Sequence, residues 1–139
     1  MHRFFTQGPV PEESLRSWSA EFASDDNAGA TSIFIGRVRA DRVVTGIEYT
    51  AHEPMAIAAL EAISSRFLHE PGVRDIRILH ALGLVSVGQA AMIVAVNSGH
   101  RQEAFGVIEQ VVNAIKTEAP IYGKELTVTD GHRWKTNLP

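Results

Sequence analysis

Apolar residues along this chain fall into alternating helical and strand rhythms. Leu15, Trp18 and Phe22 recur at helical spacing. Pro11-Glu12-Glu13 precedes them as a helix start, because proline suits the first helical position and acids suit the positive end of the dipole. Ser24-Asp25-Asp26-Asn27 closes that helix. Residues 29–39 (GATSIFIGRVR) and 43–50 (VVTGIEYT) are β-rich. The short polar link Ala40-Asp41-Arg42 between them predicts a hairpin. Pro54 opens a second helix with Met55, Ala59, Ile63 and Phe67 on one face and Leu60 beside them, and Pro71-Gly72 stops it. Residues 73–80 alternate apolar and polar as a half-buried strand does, 83–88 read as a turn, and 90–97 (AAMIVAVN) read as a central strand buried on both faces. A last helix over about 101–117 carries the stripe Phe105, Ile108, Val112, Ile115 and ends before Pro120. The remainder predicts one short strand near 125–128.

That order predicts a single domain over 1–139. Its fold class is α+β, a mixed, mainly antiparallel sheet with helices packed on one face. Apolar residues make up 45% and charged residues 21%, the balance of a globular protein. The net charge of −3 gives no global basic field, so nucleic acid is not an expected partner and any anion site must be local. No apolar run is long enough to span a bilayer, and the first residues lack the pattern of a signal peptide, which predicts a cytoplasmic location and no membrane contact.

Candidate chemistry lies in small cationic clusters. Arg37 and Arg39 sit two apart at a strand end, where two guanidiniums on one face suit a phosphate or carboxylate. Read alone, the pair favours a solvated strand end. His100 and Arg101 follow Ser98-Gly99 where the most apolar strand enters the last helix. Free N–H groups there suit an anion, and cations there conflict with the dipole unless one is present. Exposed polar capping explains them equally well. Lys116 lies in the last turn of that helix, where a cation complements the dipole, and capping is its simplest role. His80 ends a strand and reads as structural. His52, His80 and His100 match no compact ligand spacing, so no metal is expected. The aromatic and basic end Gly131-His132-Arg133-Trp134 suits either a cover over the core or contact with a neighbouring chain.

The order of these clusters resembles the molybdopterin synthase large (catalytic) subunit family over about 29–134. Four pieces carry the resemblance. They are the strand end Gly36-Arg37-Val38-Arg39, the segment Glu48-Tyr49 with Glu53, Met55 and Ala56, the helix start His100-Arg101 with Ala104-Phe105, and the exit from Lys116 to Pro120-Ile121-Tyr122. The resemblance implies an α/β-hammerhead-like fold, a homodimer and, with a small ubiquitin-like sulfur-carrier subunit at each end, a heterotetramer. It implies that the carrier's C-terminal Gly-Gly thiocarboxylate gives sulfur to cyclic pyranopterin monophosphate to make the molybdopterin dithiolene, with no cofactor of its own. A chain without cysteine fits, since the sulfur is imported on a partner.

Carried over residue by residue, the resemblance makes Arg37, Val38 and Arg39 substrate contacts and His100 and Arg101 a second anion-binding element. It makes Lys116 a catalytic lysine. The family's second lysine falls on Gly123, one position before Lys124 and two before Glu125. The expectation is that Lys124 reaches the same site as a second catalytic lysine if the loop around Gly123 turns, with Lys116, Gly123, Lys124 and Glu125 all contacting the substrate. Ala81 and Gln89 also depart from the family's usual arginine and glutamate. The alternative is a non-catalytic paralogue that binds a carrier protein or a pterin phosphate, which Gly123→Lys would separate from an active enzyme by restoring turnover.

Overall fold

Strand β5 (Ala90–Ser98) has nine residues, and every one of them is buried. Such an apolar run needs a neighbour on each edge and cover on each face. In the computed structural model, which describes residues 3–41, 43–128 and 131–134 (side chains through 128), it receives both. β2 (Ala30–Arg37) pairs antiparallel along one edge and β4 (Val73–Ser86) along the other. Met92, Val94 and Val96 enter one core with helices α2 (Glu53–Leu68) and α3 (Arg101–Glu118). Ala91 and Ile93 enter a second core with Leu15 and Trp18 of helix α1 (Glu13–Ala23). Helices therefore lie on both faces of the sheet, not on one as predicted, because β5 sends apolar side chains both ways.

Among the described residues the sheet has seven strands in the order β2-β5-β4-β3-β6-β7, with β1 (Phe5–Gln7) parallel to β4. β3 (Val44–Ala51) lies between β4 and β6 (Ile121–Thr127), and β7 (Gly131–Trp134) closes the ladder beside β6. The fold is the predicted α+β class with mostly antiparallel pairing. The C-terminal strand begins at Ile121, earlier than 125. The side chains of His132, Arg133 and Trp134 lie outside the described residues.

Two local expectations are corrected. Residues 29–39 and 43–50 do not form a hairpin, since β2 pairs with β5 while β3 pairs with β4 and β6. The end of β2 is tied instead to the β4–β5 turn, where Val38 N–H donates to Gln89 O and Gly88 N–H donates to Val38 O. The most apolar strand claims β2 as its flank. The turn predicted at 83–88 is also shorter than expected. β4 stays extended through Gly83 (φ 88°), and Leu84 and Val85 alternate out and in at 51% and 0% exposure. The chain reverses only at Val87-Gly88-Gln89, with Gly88 at φ 87°. β4 thus pairs with β5 over 73–80 and with β3 over 83–86, carrying the chain from one half of the sheet to the other.

Both long helices bury most of their predicted stripes and depart from them at the first residue of each, Met55 and Phe105. α2 buries Ala56, Leu60, Ile63 and Phe67 and leaves Met55 59% exposed. α3 buries Ala104, Val107 and Val111 together with the predicted Val112 and Ile115, and leaves Phe105 70% exposed. Each pair of stripes has helical spacing, and the sheet selects the one with alanines because it lies close. Ser32 Oγ–H reaches Ala104 O at 2.6 Å. Full burial of Leu60 or Ile63 contributes about 1.5–3 kcal/mol each.

Candidate active site

Six elements meet at the end of α3. Arg37 ends β2, Tyr49 comes from β3, His80 from β4, Met92 from β5, Lys116 from the last turn of α3 and Ile121 from β6. Together they enclose a narrow cavity of about 70 Å³. Lys116 stands at its mouth as an exposed residue, while His80 and Tyr49 form its inner wall.

His80 arrives there through strand alternation. Ile76, Ile78 and His80 occupy the inward phase of β4 at 6%, 3% and 7% exposure. Its Nδ1 bonds to Ala81 O at 2.8 Å, and its ring meets the Tyr49 ring edge-on, centroids 5.0 Å apart at 78°. Burial pushes the imidazole down to about 4, helped by the positive charge of Lys116 and opposed by the Ala81 bond, so the ring is neutral at pH 7. Burial pushes the Tyr49 phenol up to about 12, with the Glu125 carboxylate adding to the shift, so Tyr49 keeps its proton.

The guanidinium of Arg37 is gripped by a carboxylate. Its Nη1 and Nη2 donate to Glu12 Oε2 and Oε1 at 2.8 and 2.9 Å, and Nη1 also donates to Gly88 O at 3.2 Å. The Arg37 hydrogen bonds hold the Glu12 carboxyl below its usual range. Glu12, which the sequence offers only as a helix start, is thus part of the site's surroundings.

The remaining candidates are distributed differently from the expectation. A bulge lies between Gly36 and Arg37, the strand ends at Arg37, and Arg37 and Arg39 take different partners. Arg39 lies beyond it, its side chain 78% exposed and paired with Asp41 at 3.0 Å. The Val38 side chain is buried and both its backbone groups are bonded to the β4–β5 turn, so it supports Arg37 from the core. His100 is the N-cap residue of α3, with Arg101 opening the helix. With Gly29, Gly99 and Gln102 they line an open hollow of about 460 Å³. His100 Nδ1 lies 3.8 Å from Glu103 Oε1. At about 1.5 Å of rise per residue, His100 and Lys116 are roughly 24 Å apart along α3. One chain does not bring them to one small ligand.

The exit strand separates its residues by face. Tyr49 is opposite Gly123, and Glu48 is opposite Lys124. Gly123 and Glu125 therefore share the Tyr49 face with Ile121, while Lys124 points the other way. Lys124 Nζ pairs there with Glu48 Oε1 at 3.4 Å. A Cβ at Gly123 would stand 2.9 Å from Ile47 Cγ2 and 3.2 Å from the Tyr49 ring. The turn expected to swing Lys124 inward is a regular β-ladder.

A model of the family described as MoaE protein matches residues 10–118. A molybdopterin synthase catalytic subunit of Dictyostelium discoideum is 36% identical over 124 residues, covering 84% of this chain and 78% of that protein. The crystal structure of molybdopterin synthase from Staphylococcus aureus superposes with a TM-score of 0.84 at 31% identity, covering 98% of both chains. A complex of subunits 1 and 2 of molybdopterin-converting factor from Helicobacter pylori shares the fold, with a TM-score of 0.82 at 23% identity over 96% of this chain and 89% of that one. The elements that build the Lys116 cavity lie almost wholly inside the matched span, and the chain belongs to the MoaE family.

Proposed function

We propose that the chain is the catalytic subunit of a molybdopterin synthase, a sulfurtransferase of molybdenum cofactor biosynthesis. It moves sulfur from the C-terminal thiocarboxylate of a small ubiquitin-like carrier to cyclic pyranopterin monophosphate. The observation that carries this reading is Lys116 at the mouth of a narrow cavity, beside Arg37 and above a neutral, hydrogen-bonding wall of Tyr49 and His80. A cavity of about 70 Å³ admits a thin Gly-Gly tail. It falls short of the roughly 300 Å³ that encloses an organic ligand. The pterin therefore lies over the mouth. The carrier's thiocarboxylate supplies the sulfur, since the chain has no cysteine to carry it.

Lys116 stabilises the oxyanion that forms at the carrier's terminal carbonyl and serves as general acid or base when water releases the carrier as a carboxylate. Arg37 is the phosphate or carboxylate ligand on the same chain once Glu12 gives way. His100 and Arg101 reach the substrate from a second copy, because α3 holds them far from their own Lys116. A homodimer follows from that sharing, and a carrier at each end would make it a heterotetramer. Dithiolene formation needs two sulfurs, so a spent carrier is exchanged between steps. Lys116→Ala tests the assignment. With a thiocarboxylated carrier, product formation falls at least about a hundredfold, while carrier binding persists. Near-normal turnover rejects it.

A second reading is favoured by one observation. Gly123 occupies the position of the family's second lysine and Lys124 faces away from the cavity. A paralogue that binds carrier or pterin without turnover would show carrier binding and no product in the same assay.

A further inference from the structure

Tyr49 brings an uncommitted hydrogen-bond donor to the cavity. It is half-buried on the cavity wall, on the strand between β4 and β6. Its ring is held on two sides. His80 meets it edge-on with centroids 5.0 Å apart, and the ring packs over Gly123, where a Cβ would stand 3.2 Å from its Cε1. Among the described residues no hydrogen bond engages the phenol, and Glu125 acts on it through charge. A tyrosine hydroxyl enclosed in a core finds a partner. Every sealed side-chain nitrogen or oxygen among the described residues has one. The Tyr49 O–H is therefore not sealed, and it opens on the cavity that the ring lines.

We infer that Tyr49 is a further catalytic residue of this pocket, its phenol O–H donating a hydrogen bond to the carbonyl oxygen of the carrier's terminal glycine. The inference deepens the sulfur-transfer reading and rests on it. The tail is the part of the substrates thin enough for a cavity of about 70 Å³, so its last carbonyl meets the wall that Tyr49 provides. In the release step the oxygen of water bonds to that carbonyl carbon, and the carbon–sulfur bond breaks. The electron pair leaves with the sulfur, which stays on the pterin, and the carrier departs as a carboxylate. One proton of the water ends on the sulfur and the other in solvent. Negative charge gathers on the carbonyl oxygen between the two events, and a donor already fixed there costs no reorganisation. Tyr49 donates without losing its proton, since burial, with the Glu125 carboxylate, keeps the phenol at about 12. A neutral donor also suits the depth of the cavity, where a second ammonium would have to be desolvated. With Lys124 on the opposite face of β6, Tyr49 is the donor that the β3–β6 ladder gives this wall among the described residues.

The experiment uses the full chain and Tyr49→Phe, which removes the oxygen and leaves the ring against His80 and Gly123. The expected single-turnover rate is about a hundredfold below wild type, the loss typical of one oxyanion donor. Carrier affinity changes little, and the urea midpoint does not fall, because the O–H loses no partner within the chain. A rate within about threefold of wild type overturns the inference. So does a rate loss that comes with a lower urea midpoint, which would make the phenol a structural group. A second measurement needs no turnover. The chain has two tyrosines, Tyr49 and the 50% exposed Tyr122, so ¹³C at tyrosine Cζ gives two signals, assigned by Tyr49→Phe. On addition of a carrier ending in a Gly-Gly carboxylate, the Tyr49 signal is expected to move and the Tyr122 signal to stay. An unmoved Tyr49 signal in the formed complex overturns the inference. If the wild-type chain forms no product, the sulfur-transfer reading falls, and the Tyr49 signal still decides whether the phenol meets the carrier's tail.

Discussion

Lys124 and Glu48 stand directly opposite each other on the β3–β6 ladder, Nζ 3.4 Å from Oε1, on the face turned away from Lys116. Their side chains are 30% and 46% exposed, so the pair stabilises the ladder weakly. Lys124→Ala is expected to cost about 0.2–1 kcal/mol of stability by urea unfolding. Its single-turnover rate stays within about threefold of wild type, less than the ~10²-fold expected for loss of a positioned acid or base. A collapse of turnover in a folded Lys124→Ala protein would mean that the lysine reaches the site after all.

Gly123→Lys does not restore a family-like pair of lysines. The new Cβ would press on Ile47 Cγ2 at 2.9 Å and on the Tyr49 ring at 3.2 Å. Ile47 is 3% exposed and β-branched, so it has little room to yield. Overpacking of this kind costs roughly 1–3 kcal/mol. The expected outcome is a lower urea midpoint and turnover no higher than wild type. Higher turnover at unchanged stability would show that Tyr49 moves aside.

Much of this was legible in the sequence, and the gaps have physical causes. The burial of residues 90–97 was plain because no surface strand tolerates such a run, and the structure adds Ser98 to it. Helix position alone made Lys116 a cap, and only the family likeness pointed from it to the cavity that it lines. His80 was read as structural, and it is buried as that reading implies, but its place on the cavity wall could be read only from the inward phase it shares with Ile76 and Ile78. Arg37 and Arg39 are each held by a carboxylate, Glu12 and Asp41, and the period of two cannot reveal such partners. Phe105 was taken for a core residue because two stripes on α3 have the same spacing, and only packing against the sheet decides between them.

Glu12 competes with anionic ligands for Arg37. Glu12→Gln keeps the size of the side chain and removes the charge, so Arg37 becomes available to phosphate. The KM for the pterin monophosphate is expected to fall by about two- to tenfold, with kcat little changed, since the gain is in uniform binding. The sign of the pH effect follows from the lowered Glu12 pKa. The contribution of the ion pair is present above the ordinary value of 4.5 and is lost as pH falls through the lower folded value. A KM unchanged in Glu12→Gln would remove Arg37 from the set of substrate ligands.

His80 makes stability depend on pH in a window set by its own shift. The ring moves from 6.5 down to about 4 on folding. Below 6.5 the unfolded chain takes up a proton that the folded chain refuses, so stability present above 6.5 is lost as pH falls toward 4. The slope is about 1 kcal/mol per pH unit for this one group. Urea unfolding between pH 7.5 and 5, on wild type and on His80→Gln, reads it directly. The variant is expected to have a shallower dependence, and equal slopes would show that the buried ring does not govern it.

The most direct test of the account is single-turnover dithiolene synthesis by co-expressed Lys116→Ala and Arg101→Ala chains, with wild type as reference. If Lys116 of one copy acts with Arg101 of another, each variant alone is inactive, and each mixed dimer keeps one intact site. The co-expressed protein then regains up to about a quarter of the wild-type product per chain, as half the dimers are mixed and half their sites are whole. Product no greater than that of the separate variants, from material shown to contain both chains in one dimer, would contradict a catalytic site shared between two copies.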